Sequence, residues 1–522
     1  MPSLLPSVLA LLGAVHGVAS LDAAGWRNQS IYQIITDRFA HTDGSAPLCD
    51  SSAGRYCNGT WAGITKHLDY IQNLGATAIW ISPVNKNVEG VFGLDGEAYH
   101  GYWVEDLYSL NPHFGTADDL KALSAALHSR GMYLMVDISP NDMGFPRAPQ
   151  DYSNLRPFNR PAFYHSECTI RWGHLESEQH CWLEKLPDLR TEDDDVRALF
   201  RAWIADLVKT YGIDGLRIDA ALEIEPEFWT EGGFREAAGV FLLAEVDRNG
   251  TDFLASYQPY LDGIIDYATW ERFIPAFRST RGSLAHLAAV TDEFAAKADV
   301  NMAVWGSFAE NQDQPRFPSL NPDVALDKNV IALTMLRDAI PITYYGQEQF
   351  YAGGERPLNR EALWLGQGYN QGAGSPLYGW IQHLNAVRRT AADADAGFLA
   401  NRTKTLFFRD PDRAAEGTAG VIGFRKGQMV TLFTNGGVAA GNKVAYALSR
   451  GLTGYDRNAA VVDVLNCELF QVARSGFLHV QMPDGGLPRA FLPQSQAAAL
   501  CPTTRAPVAD APSIVYVKKA GD

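Results

Sequence analysis

The sequence predicts an α/β fold made of repeated strand–helix units, followed by a smaller antiparallel β domain. Three observations predict this fold. Short apolar runs each end in a polar cluster and lead into a helix-like stretch, which is typical of parallel βα units. Acidic residues recur at the ends of these runs with a regular spacing. Beyond about residue 400 the helical pattern fades.

The predicted strands are rich in β-branched residues and are followed by helical patterns. One such pattern, Leu120–His128, leads into the apolar run that begins at Met132. The clearest predicted strands are Ile31–Thr36, Ala76–Ser82, Met132–Ile138, Gly215–Asp219, Phe241–Glu245 and Val304–Glu310.

The spacing of the acidic strand ends predicts an eight-unit (β/α)8 TIM barrel, which spends roughly 31 residues per unit. Asp219 and Glu245 lie 26 residues apart, about one unit, and Asp313 follows 68 residues later, about two units. Asp137 precedes Asp219 by 82 residues, one unit plus an excess of about fifty. We therefore expect a small domain inserted after the Asp137 strand.

The C-terminal part has apolar runs such as Val421–Phe424 and Val430–Phe433 among glycine-containing turns, which favour a compact antiparallel β domain. We expect a signal peptide over 1–20, the barrel over 21–141 and 191–400, the inserted domain over 142–190 and the β domain over 401–522.

Composition excludes several classes of protein. Of the 522 residues, 46% are hydrophobic and 20% charged, which excludes a disordered or collagen-like chain. A formal net charge of −16 argues against nucleic acid and anionic membranes as partners, because both attract clustered Lys and Arg. Neutral substrates remain open.

The first twenty residues read as a secretory signal. The apolar run Leu4–Val18 is too short for a membrane span, and the small pair Ala19–Ser20 suits signal peptidase. We find no later membrane span and no C-terminal tail typical of a GPI anchor. We therefore expect an extracellular protein.

Six cysteines and four sequons agree with secretion. The cysteines form three neighbouring pairs, which predicts three local disulfides; zinc is the alternative, although no CxxC pair is present. The pairs are Cys49 with Cys57, Cys168 with Cys181, and Cys467 with Cys501. The sequons begin at Asn28, Asn58, Asn249 and Asn401, and we expect some of them to carry glycan.

Barrel enzymes place their reactive groups at the C-terminal ends of strands, and this rule selects Asp219, Glu245 and Asp313. Cleavage of a glycosidic bond with retention needs a nucleophilic carboxylate and a carboxylic acid about 5–5.5 Å apart. Arg217 lies two residues before Asp219, so both side chains point to the same side and the guanidinium keeps Asp219 ionised. Apolar residues before Glu245 would raise the pKa of its carboxyl, as an acid/base requires.

The motifs around these residues resemble the α-amylase family, glycoside hydrolase family 13, and in particular secreted fungal α-amylases. The motifs for the four signature regions of the family are Met135–Asn141, Gly215–Asp219, Ala244–Val246 and Glu310–Asp313. The motifs typical of the fungal enzymes are Ser30–Tyr32, Thr36–Ala40, Ala98–Trp103, Gly346–Gln349 and Tyr351–Gly354.

The resemblance implies that the inserted domain follows the third barrel strand and that the C-terminal domain is a β-sandwich. It also implies that Asp219 is the nucleophile, Glu245 the general acid/base, and Asp313 a carboxylate that holds sugar hydroxyls. The residues that it places against the substrate are His100, Tyr102, Trp103, Asp142, Arg217, Gln312 and Arg360.

A calcium ion between the barrel and the inserted domain is implied as well. Asn141 and Asp188 match its side-chain ligands, and the backbone carbonyls of Gln179 and Glu223 match the remaining ones. Hard oxygen ligands of this kind suit Ca²⁺.

Five positions depart from the pattern of ordinary fungal α-amylases. Asp142, Glu223 and Gln312 replace histidines, Leu222 replaces a lysine, and Arg356 replaces an acidic residue. Gln312 keeps an N–H donor, whereas an ionised Asp142 can only accept. We also expect the carboxylates at Asp142 and Glu223 to raise the pKa of Glu245.

Three functions follow. The enzyme cleaves internal α-1,4-glucosidic bonds of starch-like glucans and maltooligosaccharides, or it passes the glycosyl group to another sugar as a 4-α-glucanotransferase of the fungal cell wall, or it binds glucan without catalysis. The intact set of Arg217, Asp219, Glu245 and Asp313 favours the two enzymes. We expect a monomer.

Overall fold

Eight parallel strands form the central sheet of the computed structural model, which describes residues 21–92, 96–145, 151–366, 368–411, 419–441, 444–507 and 514–517. The predicted signal peptide, residues 1–20, lies outside the described residues. The strands are β1 (Ile31–Ile34), β2 (Ala78–Ile81), β5 (Tyr133–Ile138), β6 (Gly215–Ile218), β7 (Phe241–Ala244), β8 (Gly263–Ile264), β9 (Gly306–Phe308) and β10 (Ile340–Tyr344).

The sheet closes on itself. Its order is β8-β7-β6-β5-β2-β1-β10-β9, and a parallel bridge between Ile265 and Gly306 joins the two end strands. All residues of β1, β2, β6, β7 and β10 are buried, as expected for strands covered by helices on the outside and by packed side chains on the inside. The TIM barrel predicted from the sequence is confirmed.

Amphipathic helices surround the barrel. Helix Ala117–Ser129 begins with a capping box, in which the Thr116 hydroxyl accepts from the N–H of Asp119 while the Asp119 carboxylate accepts from the N–H of Thr116. Helix Asp194–Tyr211 ends at Gly212, whose φ of 61° suits glycine.

The remaining helices of the barrel are Ala23–Trp26, Thr36–Phe39, Trp61–Lys66, Leu68–Asn73, Phe234–Ala238, Thr251–Tyr257, Tyr267–Phe277, Ala285–Ala296, Phe317–Leu320, Val324–Leu336 and Tyr378–Ala394. Single 3₁₀ turns lie at Ser51–Ala53, Ala221–Glu223, Pro226–Phe228, Met302–Val304 and Gln347–Gln349.

Two excursions leave the top of the barrel. A hairpin of β3 (Asn85–Asn87) and β4 (Val104–Leu110) follows the second barrel strand. A longer excursion follows the third, β5, and contains helix Leu175–His180 and the turns Pro161–Phe163 and Leu183–Lys185. This places the inserted segment where it was expected, although the limits 142–190 stay a prediction.

The C-terminal part packs two sheets face to face around an apolar core that includes Leu432, Leu448, Leu478 and Phe491. The larger sheet, all antiparallel, has the order β11 (Lys404–Arg409), β12 (Val421–Lys426), β13 (Met429–Thr434), β18 (Arg489–Pro493), β15 (Ala460–Asp463) and β16 (Glu468–Gln471). The smaller has β17 (Phe477–Gln481), β14 (Ala445–Ser449) and β19 (Ile514–Tyr516).

One pairing differs from the expected antiparallel pattern, because β19 runs parallel to β14. Short helices lie at Arg450–Thr453 and Gln494–Ala497. The limits 401–522 of this β-sandwich domain stay a prediction.

All three predicted disulfides are present: Cys49–Cys57, Cys168–Cys181 and Cys467–Cys501. The zinc alternative for these cysteines was therefore wrong. Among the described residues, no helix is both long and apolar enough to cross a bilayer.

Candidate active site

A cleft of about 650 Å³ opens at the C-terminal ends of the barrel strands. Its walls come from three sources, namely the barrel loops, the β3–β4 hairpin and the excursion after β5. The predicted site residues that line it are His100, Tyr102, Trp103, Asp142, Asp219, Glu223, Glu245, Asp313 and Arg360.

The Arg217 guanidinium lies beneath the cleft and joins three carboxylates. Nη1 donates to both oxygens of Asp137, at 2.9 and 3.1 Å, and to Oδ1 of Asp219 at 2.6 Å, while Nη2 donates to Oε2 of Glu245. In the parallel register Asp137 lies beside Arg217, and Ile218 beside Ala244, so Asp219 and Glu245 follow neighbouring strand positions. One buried cation thus holds both predicted reacting carboxylates side by side.

The Glu245 carboxyl is set up to stay protonated. Burial raises its pKa well above the usual range for glutamate, Arg217 opposes this, and Asp219, Asp313 and Asp247 raise it further. The Tyr267 hydroxyl also donates to Oε1 of Glu245 at 3.1 Å. The direction agrees with the expectation from sequence.

Burial, which was expected from the apolar residues before Glu245, is the largest cause of this pKa shift. The charges differ from the expectation, because the main ones after Arg217 are those of Asp219, Asp313 and Asp247, and not those of Asp142 and Glu223.

The Asp219 carboxylate is held from two sides. Arg217 binds Oδ1, and the Ser139 hydroxyl donates to Oδ2 at 3.1 Å. These bonds leave the carboxylate about one-fifth exposed at the cleft floor. An ionised carboxylate, fixed beside a protonated carboxyl, is the arrangement that a double-displacement reaction needs.

Asp313 lies across the cleft, where two arginines, Arg360 and Arg356, approach its carboxylate. Arg360 donates from Nη2 to Oδ1 of Asp313 at 3.1 Å and from Nε to the carbonyl of Gln312 at 3.0 Å. Arg356 approaches the same Asp313 oxygen to 3.8 Å. Asp313 therefore keeps its second oxygen for a ligand in the cleft.

Aromatic side chains form the wall beside Asp313. The Tyr102 hydroxyl donates to Oδ2 of Asp137 at 2.8 Å, and the Tyr102 N–H donates to Nδ1 of His100 at 3.1 Å. Trp103 packs edge-on against the His100 ring at 4.6 Å between centroids. The hydrogen bonds and ring contacts fix the Tyr102 side chain, whose ring can stack on a sugar.

Gln312 lies behind this wall. Its amide donates from Nε2 to the Tyr102 hydroxyl at 3.1 Å and accepts at Oε1 from Gln33. Gln312 is therefore placed to orient Tyr102, and it is not part of the surface of the cleft.

Asp142 is only 2% exposed, and its Oδ1 has no hydrogen-bond partner. Burial and the nearby Asp219 raise its pKa well above the usual range for aspartate. A raised pKa favours the neutral carboxyl, which carries an O–H donor, whereas we expected an ionised acceptor.

The residues expected to bind calcium lie together under the excursion. An antiparallel bridge joins Asp142 to Asp188, and the N–H of Leu189 donates to the carbonyl of Asn141 at 2.9 Å. Oδ1 of Asp188 is buried without a partner, while Oδ2 lies 2.6 Å from Nδ1 of His165. An orphaned carboxylate oxygen beside a buried amide fits a hard cation.

The other two expected ligands are also buried. Gln179 donates from its side chain to the carbonyl of Ile224 at 3.3 Å, and Glu223 lies in the neighbouring 3₁₀ turn. Among the described residues, no group of three or more His, Cys, Asp and Glu side chains is arranged for a metal, so a site here would combine Asp188 with Asn141 and carbonyls.

The four sequon asparagines, Asn28, Asn58, Asn249 and Asn401, are all exposed.

Sequence reasoning missed several side chains of the site. Tyr267 follows the two-residue strand β8, which is too short to show a pattern. Ser139 lies directly after β5, and a search for polar residues at strand ends would have identified it. Trp172 and Glu184 reach the cleft from the excursion and carry no motif.

The family model for the α-amylase catalytic domain matches residues 33–415, and that for α-amylase domain C matches residues 417–508. Alpha-amylase 2 of Schwanniomyces occidentalis is 40% identical over 488 residues, covering 91% of this chain and 92% of the relative. An α-amylase of Saccharomycopsis fibuligera is 39% identical and covers 92% and 94%. A solved α-amylase structure from Malbranchea cinnamomea superposes with a TM-score of 0.85 at 40% identity, covering 92% of this chain and 99% of that one.

The barrel, with carboxylates gathered at its C-terminal strand ends, defines a glycoside hydrolase fold. The matches to both family models and to these relatives show that the chain belongs to the α-amylase family.

Proposed function

We propose that the protein hydrolyses internal α-1,4-glucosidic bonds of starch-like glucans and maltooligosaccharides with retention of the anomeric configuration. The observation that carries the proposal is the single guanidinium of Arg217, which contacts both Asp219 and Glu245. Contact with one cation keeps the two carboxyl groups at the short separation of a retaining pair.

In the first half of the reaction, Glu245 donates its proton to the glycosidic oxygen while Asp219 attacks the anomeric carbon. The bond between this carbon and the leaving oxygen breaks, and a covalent glycosyl ester forms on Asp219. The raised pKa of Glu245 keeps the proton available at neutral pH.

In the second half, the Glu245 carboxylate removes a proton from water. The water oxygen attacks the anomeric carbon, the ester bond breaks, and Asp219 returns to its ionised form. Asp313, held by Arg360, binds hydroxyls of the reacting sugar, and the Tyr102 ring stacks on it.

A calcium ion would be held by Asn141 and Asp188 together with the carbonyls of Gln179 and Glu223. It would tie the excursion to the barrel electrostatically and would take no part in bond cleavage. We also propose that the enzyme acts outside the cell, because three disulfides persist in oxidising compartments.

Transfer to a second sugar is a second candidate function, since it shares the first half-reaction. Leu222 and the 65% exposed Trp172 both line the cleft, and apolar groups there favour a sugar acceptor over water.

Incubation with pure maltopentaose tests both functions. Hydrolysis predicts a rise in reducing ends with the α-anomer formed first by NMR, whereas transfer predicts early products longer than the substrate. Asp219→Asn and Glu245→Gln should abolish either reaction, while the exposed helix carboxylate in Asp206→Asn serves as the matched control. Formation of the β-anomer first would overturn the retaining mechanism.

A further inference from the structure

An ion pair crosses the cleft between two walls that are far apart in sequence. Nη2 of Arg356 donates to Oε1 of Glu184 at 2.5 Å. Glu184 belongs to the turn Leu183–Lys185 in the excursion after β5, whereas Arg356 belongs to the loop after β10. Both residues line the active-site cleft, so their side chains meet across it.

The pair lies beside the carboxylate that is proposed to bind the reacting sugar. Nη1 of Arg356 is 3.8 Å from Oδ1 of Asp313, the oxygen that Arg360 also contacts. Arg356 also acts electrostatically on His100, which stands next to Tyr102. The ion pair therefore lies in the part of the cleft that adjoins Asp313.

The backbone around Glu184 is held in an unusual conformation. Glu184 has a φ of 50° and Lys185 a φ of 67°, although neither is glycine. Each residue held there costs on the order of 1 kcal/mol, and such strain concentrates at ligand clamps and switches. The tight turn directs the Glu184 carboxylate towards Arg356.

The ion pair between Glu184 and Arg356 is formed in the structure, but it is weak. The two side chains are 52% and 45% exposed, and exposed ion pairs contribute at most about 1 kcal/mol. A glucan chain cannot pass between two side chains in hydrogen-bond contact. A short oligosaccharide has little chain to thread past the pair, whereas a long glucan that binds through an internal segment requires the pair to separate.

We propose that the Glu184–Arg356 pair is a latch that determines substrate length: internal bonds of short maltooligosaccharides are reached through the closed cleft, whereas those of long glucans are reached only after the pair separates. The inference rests on the proposed glucan-cleaving function and specifies its substrate class. It assigns Arg356 a role that an acidic residue at the same position could not have, because two carboxylates would repel.

The test compares kcat/KM for long amylose with kcat/KM for maltopentaose. Glu184→Gln removes the charge pair and leaves Arg356 beside Asp313, so we expect the amylose-to-maltopentaose ratio to rise about two- to fivefold, the size set by one exposed ion pair. The same ratio should rise with salt in the unaltered enzyme and not in Glu184→Gln. The reversed pair, Glu184→Arg with Arg356→Glu, should restore the low ratio.

Arg505→Gln, which removes the ion pair of the exposed Arg505 with the buried Glu468 in the C-terminal domain, is the control and should leave the ratio unchanged. An unchanged ratio in Glu184→Gln, in an enzyme that cleaves both substrates, overturns the latch alone. Absence of Asp219-dependent cleavage of either substrate in the unaltered enzyme overturns the proposed function and the latch with it.

Discussion

Replacing Arg217 by lysine would test whether one guanidinium organises the reacting pair. Arg217 is 1% exposed, and its two terminal nitrogens contact Asp137, Asp219 and Glu245 together. A lysine ammonium keeps the positive charge but is a single point on a flexible stem, so it cannot span the carboxylates. We expect the substitution to leave two of the three partners without their cation.

The magnitude follows from the bonds lost. Hydrogen bonds to charged groups contribute about 1.5–3 kcal/mol each, so the loss of two partners costs about 3–6 kcal/mol of folding free energy. An unfolding entropy of about 2.1 cal/mol/K per residue gives about 1 kcal/mol/K for a chain of this length. The melting temperature should therefore fall by about 3–6 °C. A misplaced acid and nucleophile should also lower kcat/KM by about 10²–10³.

The assay pairs a thermal melt with maltopentaose kinetics below both melting temperatures. Arg489→Lys is the matched control, because Arg489 is equally buried and contacts Asp463 and Glu468 in the C-terminal domain. It should lose stability and keep kcat/KM. If Arg217→Lys keeps kcat/KM within threefold of the unaltered enzyme, then the guanidinium does not set the geometry of the pair, and the central argument for the mechanism is refuted.

Three further predictions concern the proton, the cation and the inserted segment. Because the raised pKa of Glu245 keeps its carboxyl protonated, kcat/KM for maltopentaose should fall on the alkaline side as pH rises through that pKa. Glu245→Gln should remove this alkaline fall. The pH profile of the variant is measured with an aryl glycoside, because its leaving group needs no acid. Calcium at 100 times its Kd should raise the free energy of unfolding by about 2.7 kcal/mol, measured by thermal melts with calcium and with EDTA. Asn141→Ala should reduce this gain. An equal gain in the variant would place the ion elsewhere. Replacing Cys168 and Cys181 by serine removes a disulfide between residues that are 13 positions apart in sequence. The stability of the inserted segment should fall by about 3 kcal/mol, measured as faster proteolysis there. An unchanged cleavage rate would contradict this.

Features of the fold that repeat locally were predictable from the sequence. The run Gly215–Asp219 shows both the apolar strand and the polar residue that ends it, and its alternation placed Arg217 and Asp219 on one side, where they now form a 2.6 Å contact. The disulfides were predictable because the paired cysteines are only 8 to 34 residues apart in sequence.

Strands without such a pattern were missed. Strand β8 has only two residues, Gly263–Ile264, and exists because β7 and the bridge at Gly306 pair with it. Strand β10, Ile340–Tyr344, ends without an acidic residue, so the search for acidic strand ends passed over it. The neighbouring strands decide the structure of β8, whereas β10 carries the β-branched and aromatic residues typical of a strand and was missed only because its end is not acidic.

Side-chain states in the site depended on burial, which residue type does not reveal. Asp142 was expected to be an ionised acceptor, yet it lies buried with one orphaned oxygen. Gln312 was expected at the sugar, yet Gln33, which is 279 residues away in sequence, holds its amide behind Tyr102. Both outcomes follow from long-range packing.

The substituted positions divide into two groups by location. Asp142 and Gln312 are buried beside residues of the proposed mechanism: burial and Asp219 raise the pKa of Asp142, and the Gln312 amide donates to the Tyr102 hydroxyl. Leu222, Glu223 and Arg356 line the cleft, as Asp142 does, and we expect them to contact the glucan. Because Arg217 contacts Asp137, Asp219 and Glu245 as an intact set, we expect the departures to change which glucans enter and what accepts the glycosyl group, and to leave the bond-breaking step in place.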